Sequence, residues 1–186
     1  MSGSADAPWR PTRDDLAAAE GTTVPDVTAP GLRLLFCGVN PGLYSAAVGH
    51  HFARPGNRFW KVLRAAGFTD RLWSPFEDTA LPSVGIGITN LVERATAGAA
   101  DLSAAELGRG AHDLEAKVRR YRPHAVAVLG MQAYRNAFGR PHAGLGRQPE
   151  TIGDAPTWLL PNPSGAQARY QLDELAAAFR ELREAI

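Results

Sequence analysis

The 186-residue sequence predicts a three-layer α/β/α sandwich around a mainly parallel, short-stranded sheet. Three observations carry this reading. Four apolar runs, at 32–39, 84–89, 125–129 and 157–160, are strand-length, rich in Val, Ile, Leu or aromatic residues, and end in turn chemistry. Helical patterns separate them, so the chain reads β-α-β-α-β-α-β-α. The runs are apolar throughout rather than alternating, as expected for parallel strands covered by helices on both faces.

Each helix has its own signal. Residues 58–66 follow Asn57, an N-cap candidate, and residues 104–121 follow Ser103, which makes a capping box with Glu106. In the latter, Leu107, Ala111, Leu114, Val118 and Tyr121 share one face. Residues 131–138 and 172–185 form the last two helices, with Leu172, Leu175, Phe179 and Leu182 spaced for burial. Residues 1–30 differ: they hold four prolines and one helical stretch at 12–20, where Thr12 and Asp15 resemble a capping box. They are read as a mobile or loosely docked extension, and residues 31–186 as one domain.

Composition narrows the class. Hydrophobic residues make up 45% and charged residues 21%, which excludes a disordered chain. No apolar run approaches the roughly 20 residues that cross a bilayer, and no signal core follows the N-terminus, so a cytoplasmic protein is expected, nucleoid-associated if bacterial. Cys37, the one cysteine, lies in an apolar run; it cannot form an internal disulfide or a cysteine-based metal site, and reads as a buried structural thiol. A net charge of +1 neither demands nor excludes nucleic acid.

In open α/β sheets ligands collect beyond the carboxyl ends of the strands. Here those ends empty into Gly38-Val39-Asn40-Pro41-Gly42-Leu43, Asn90-Leu91-Val92-Glu93-Arg94, Gly130-Met131-Gln132 and Pro161-Asn162-Pro163-Ser164-Gly165. Asn40 and Asn162, each beside Pro and Gly, either cap turns or face a common crevice. Phosphate-loop, dinucleotide and nucleophile-elbow templates are absent. His50 and His51 are adjacent rather than ligand-spaced, so no metal is expected. Glu93 is the clearest carboxylate near a strand end, either a general base or a surface partner of Arg94 or Arg58. Arg54, Arg58, Lys61, Arg64, Arg135, Arg140, His142, Arg147 and Arg169 recur around this rim, where they either track phosphates or line solvated faces. Lys117, Arg119, Arg120 and Arg122 read as a solvated helix face. Phe52 either stacks on a flat ring or anchors the core.

At these residues the sequence resembles the mismatch-specific uracil-DNA glycosylases. The resemblance spans residues 30–186 and rests on Gly38–Leu43, "FARPGNRFWKVLRAAGFTDR" at 52–71, "GITNLVER" at 87–94, "RPHAVAVLGMQAY" at 122–134 and "LPNPSG" at 160–165. It implies the uracil-DNA glycosylase fold, no cofactor, and a monomer that flips uracil, and possible relatives of it, out of guanine-opposed mismatches in duplex DNA. Asn40 would position the attacking water, with Gly38 and Gly42 shaping an anion-stabilising loop. Ser45 would lie near the pyrimidine C5 position, Phe52 would stack on the base, and Asn162, Ser164 and Gly165 would lie against the flipped nucleotide and the opposed guanine. Arg58 joins Gly165, Ala166, Gln167 and Arg169 as candidate DNA contacts, with Gln167 or Arg169 as the wedge, because Ala166 stands where the family carries a bulkier residue. Asn90 stands where the family often has a lysine.

The implied chemistry suits these residue types. An amide is no useful base, but its carbonyl can hold a water in line with C1′ while the base departs as an anion. Donors aimed at that anion contribute about 3 kcal/mol each. Extruding the nucleotide costs a few kcal/mol, least at a mismatch. The implied product is an abasic site, with no lyase step. Two rivals remain on sequence alone: a non-catalytic module that binds mismatched or abasic DNA, and an enzyme acting on free nucleosides.

Overall fold

A computed structural model describes residues 9–164 and 169–186. Helix α1 (Arg13–Ala18) precedes β1 (Leu34–Gly38), and two helices follow, α2 (Leu43–Val48) and α3 (Phe59–Ala65). A 3-10 segment (Pro75–Val84) leads into β2 (Ile86–Asn90), then α4 (Ala104–Tyr121), β3 (Val126–Leu129) and α5 (Met131–Phe138). Strands β4 (Gly146–Ile152) and β5 (Ala155–Leu160) and helix α6 (Leu172–Ala185) complete the chain.

The five strands lie in the order β2-β1-β3-β5-β4, all parallel except β4. From β1 the chain turns first to β2 on one side and later to β3 on the other. The point where direction reverses is therefore beside β1, and the crevice beyond its carboxyl end is where a ligand should sit. Alternation along the strands fills two layers. Phe36 meets Phe59 edge-on at 5.4 Å and stacks on Phe179 at 5.5 Å, joining β1 to α3 and α6. Leu35 and Cys37 face the other way, into a cluster with Leu114, Val118 and Tyr134 of α4 and α5. Each fully buried large side chain contributes roughly 1.5–3 kcal/mol. Cys37 has no exposed surface, and burial pushes its thiol pKa up, so it is an inert core residue.

Helices α4, α5 and α6 have the bounds that periodicity predicts. The box at α4 is made: Ser103 Oγ accepts from Glu106 N at 3.2 Å, and Glu106 accepts from Ser103 N at 2.9 Å. Helix α3 starts one residue later than predicted. Arg58 takes the cap position, while Asn57 Oδ1 still accepts from Phe59 N at 3.0 Å.

Four elements escape the sequence reading, one of them a short 3-10 turn at Ala99–Asp101 before α4. Strand β4 carries the polar sequence GRQPETI; as an antiparallel edge it needs few apolar residues and tolerates Pro149. Helix α2 and the 3-10 segment are hidden by the glycines and prolines around them. Thr12 and Asp15 do form the expected box. Beyond α1, the stretch read as loosely docked is tied to the sheet: Val24 and Val27 are buried, and Val27 pairs with Ile88 through hydrogen bonds of 2.9 and 2.8 Å. Apolar residues too sparse to show a period still cover the edge of β2.

Candidate active site

A cavity of about 240 Å³ opens beyond the carboxyl ends of β1, β2 and β3. Four asparagines line it, Asn40, Asn57, Asn90 and Asn162, and no lining residue is acidic.

Asn40 leaves β1 on the turn before α2 and reaches across to the segment after β2. Its Nδ2 donates to Arg94 O at 3.1 Å and to Thr96 Oγ1 at 2.7 Å. Thr96 spends its own hydroxyl proton on Gly98 O at 2.8 Å, so both groups facing the amide are acceptors and its NH2 must point at them. The carbonyl Oδ1 is thereby left for the cavity.

The floor is built by omission. A Cβ on Gly38 would lie 2.5 Å from Asn90 Oδ1, so glycine lets that amide close over the strand end, while Phe52 Cζ at 3.5 Å would meet the added carbon in ordinary contact. Asn90 is the lining residue that sequence reasoning underused. It is buried, lines the cavity, and sets its Oδ1 beside Gly38. Position at a strand end was the available signal, masked by the absence of flanking Gly or Pro.

Phe52 has φ 53°, a left-handed conformation uncommon for a bulky residue, and is held there from two sides. Its ring stacks on Phe59 at 4.1 Å between centroids, and the next residue, Ala53, donates its N–H to Ser45 Oγ at 3.0 Å. One face of Phe52 thus anchors on the core, and the residue also lines the cavity. Ser45 does the same, buried in the wall while fixing the loop.

His51 also lines the cavity. Its Nε2 meets Pro25 O at 2.9 Å, and its backbone N–H donates to Asp78 Oδ2 at 2.9 Å. Burial, opposed by the Pro25 carbonyl and Asp78, holds its pKa below 6.5. His50 Nδ1 contacts Asp78 Oδ1 at 2.9 Å. Both histidines brace the loop, and no metal-ligating cluster occurs among the described residues.

The model of the uracil DNA glycosylase superfamily matches residues 25–184. The chain belongs to that superfamily. The solution NMR structure of a proposed uracil DNA glycosylase from Methanosarcina acetivorans superposes with a TM-score of 0.50 at 19% identity, covering 88% of this chain and 98% of that one. At that identity the likeness speaks for the fold.

In this glycosylase-superfamily chain the remaining candidates separate. Glu93 does not line the cavity. Its carboxylate is exposed and pairs with Lys117 Nζ at 3.0 Å, not with Arg94 or Arg58, because the chain turns outward after Asn90. Arg94 instead pairs with Glu106 at 2.5 Å. Lys117 is no solvated residue: it also bonds Asp26 at 2.7 Å and Thr89 at 3.1 Å, tying the N-terminal segment, β2 and α4 together.

Arg58 was a candidate DNA contact, but its guanidinium is committed to the protein. It donates to Pro163 O at 3.3 Å, Ser164 O at 3.1 Å and Tyr170 O, and its backbone N–H donates to Pro163 O at 3.1 Å. It therefore clamps both ends of the segment that runs from Pro163 to Tyr170. Asn162 accepts from Ser164 N at 2.9 Å, so its carbonyl caps its own turn while the residue lines the cavity. Gly42 is the N-cap of α2 and lines the cavity as well. Gly165, Ala166 and Gln167 lie outside the described residues. Arg169 is exposed, with its guanidinium 5.6 Å from the Tyr170 ring centroid.

Proposed function

We propose that the protein is a monofunctional uracil-DNA glycosylase that extrudes uracil from guanine-opposed mismatches in duplex DNA and hydrolyses its N-glycosidic bond. The observation that carries this reading is Asn40: its NH2 is consumed by Arg94 O and Thr96 Oγ1, and its carbonyl is turned to the cavity. That carbonyl accepts a hydrogen bond from a water and so orients the water's lone pair toward C1′. The C1′–N1 bond breaks, the bonding pair leaves with the base, the water oxygen bonds C1′, and its proton passes to solvent. A wall without carboxylates suits a reaction whose difficulty lies in the leaving anion. Donors from the 38–43 turn and the Asn90 amide stabilise that anion, and an amide matches a pyrimidine edge with both a donor and an acceptor.

Phe52 stacks on the extruded ring, and Ser45 lies where a C5 substituent would reach. Because Ser45 Oγ also holds Ala53, its replacement by Ala loosens the Phe52 loop as well as widening the pocket. Asn162 and Ser164 meet the nucleotide, and Arg58 holds their segment in place. The protein acts as a monomer without a cofactor, in the cytoplasm. Glu93 is no part of this reading. A wall without a carboxylate also favours the second reading, a module that binds mismatched or abasic DNA and cuts nothing.

The test is single-turnover release of uracil from oligonucleotides, single-stranded and opposite guanine or adenine, read by alkaline scission. Wild type should act fastest on the guanine-opposed duplex, Asn40→Ala should lose about 10²-fold, and Glu93→Gln should stay within twofold. Duplex binding without scission would favour the binding module.

A further inference from the structure

A second groove, of about 440 Å³, shares Phe52, Arg54 and Asn57 with the catalytic cavity. It continues through Lys61 and Leu72 into a further depression of about 410 Å³ that reaches Arg64 and Leu172. Six large hydrophobic side chains are exposed among the described residues, and four of them, Trp9, Leu72, Phe76 and Leu172, lie on this track. Single exposed apolar residues are ordinary, but four on one continuous surface mark a binding face.

Charge narrows the occupant. The track carries Arg10, Arg54, Lys61 and Arg64, and none of its lining residues is acidic. Flat aromatic faces interleaved with cations of one sign suit a ligand that is both a polyanion and a series of flat rings. A duplex offers phosphates but keeps its ring faces stacked, whereas a single strand offers both. We propose that this track is a subsite for unpaired DNA, seating one or more bases of the strand beside the extruded nucleotide. Trp9 and Phe76 serve as stacking faces, and Arg10, Lys61 and Arg64 follow the phosphates. The assignment rests on the reading of the cavity as a DNA site, but beyond the shared rim of Phe52, Arg54 and Asn57 it concerns a surface that the excision chemistry does not use.

The experiment measures binding of a fluorescent, uracil-free oligothymidylate and of a uracil-free duplex by anisotropy over a salt series, with wild type, Trp9→Ala and Lys61→Glu. Melting temperatures and sedimentation are recorded for each. Removing one stacking face should weaken single-strand binding by about 5- to 150-fold. Lys61→Glu should weaken it too and flatten the salt slope by about 0.7 or more. Both variants should keep duplex affinity within twofold. Single-strand affinity unchanged in both variants overturns the proposal. So does an equal loss on duplex, which makes the track a general phosphate patch. A wild-type dimer that Lys61→Glu dissociates without loss of single-strand affinity also overturns it, since the face is then a contact between copies. Because the probes contain no uracil, these outcomes do not depend on whether the protein excises bases.

Discussion

The side-chain amide of Asn40 donates to the hydroxyl of Thr96, 56 residues further along the chain, at 2.7 Å. This bond and its partner to Arg94 O decide which end of the amide faces the cavity. Thr96→Val removes one acceptor and frees the amide to rotate. Single-turnover uracil release should fall about tenfold in that variant, against about 10²-fold for Asn40→Ala, with substrate affinity little changed in either. A Thr96→Ser variant, which keeps the hydroxyl, should recover most of the rate.

Arg58 spans Pro163, Ser164 and Tyr170 with one planar group, which a lysine cannot reproduce. Arg58→Ala should raise KM for duplex substrate about tenfold and lower Tm, since three part-buried carbonyls lose hydrogen bonds worth about 0.5–1.5 kcal/mol each. Arg58→Lys should recover Tm more fully than KM. If Arg58 met DNA phosphates instead, the salt slope of duplex binding would flatten in Arg58→Ala; it should not change.

Gly38→Ala drives a methyl group into Asn90 Oδ1. Overpacking of this kind costs about 1–3 kcal/mol, so the variant should fold with a lowered denaturation midpoint. Its activity should fall by more than that destabilisation accounts for, because the displaced amide, Asn90, lines the cavity. Urea unfolding and single-turnover assays on the same preparations separate the two effects.

His51 binds its proton less tightly in the fold than in the unfolded chain, whose value is near 6.5. Its contribution to stability is therefore complete above pH 6.5 and is lost as pH falls through the lower folded value. Tm should decline as pH is lowered from 6.5 toward 5, and His51→Gln should show a shallower decline over the same interval. An identical pH slope in both proteins would contradict the assignment of that protonation step to His51.

The fold was largely legible in the chain. Parallel strands buried on both faces must be apolar throughout, and α4 and α6 need long amphipathic faces, so both leave patterns that local spacing reveals. Strand β4 left none, because an edge strand is specified by its pairing with β5 more than by its own residues. Candidate site residues were legible where a strand end meets Gly or Pro, as at Asn40 and Asn162. Asn90 and Thr96 lack that punctuation, and Glu93 carried a suggestive residue type in a misleading place.

By itself the sequence determined the layer architecture, the strand ends where a site could form, and the resemblance that names its chemistry. Only the tertiary structure decided which side chains share the cavity. Those choices rest on contacts across tens of residues: Asn40 against Thr96, Arg58 against Tyr170, Glu93 drawn away by Lys117. Local propensity acts over a few residues, whereas a side chain's partner depends on how packed elements cross, and that geometry exists only once the core has formed.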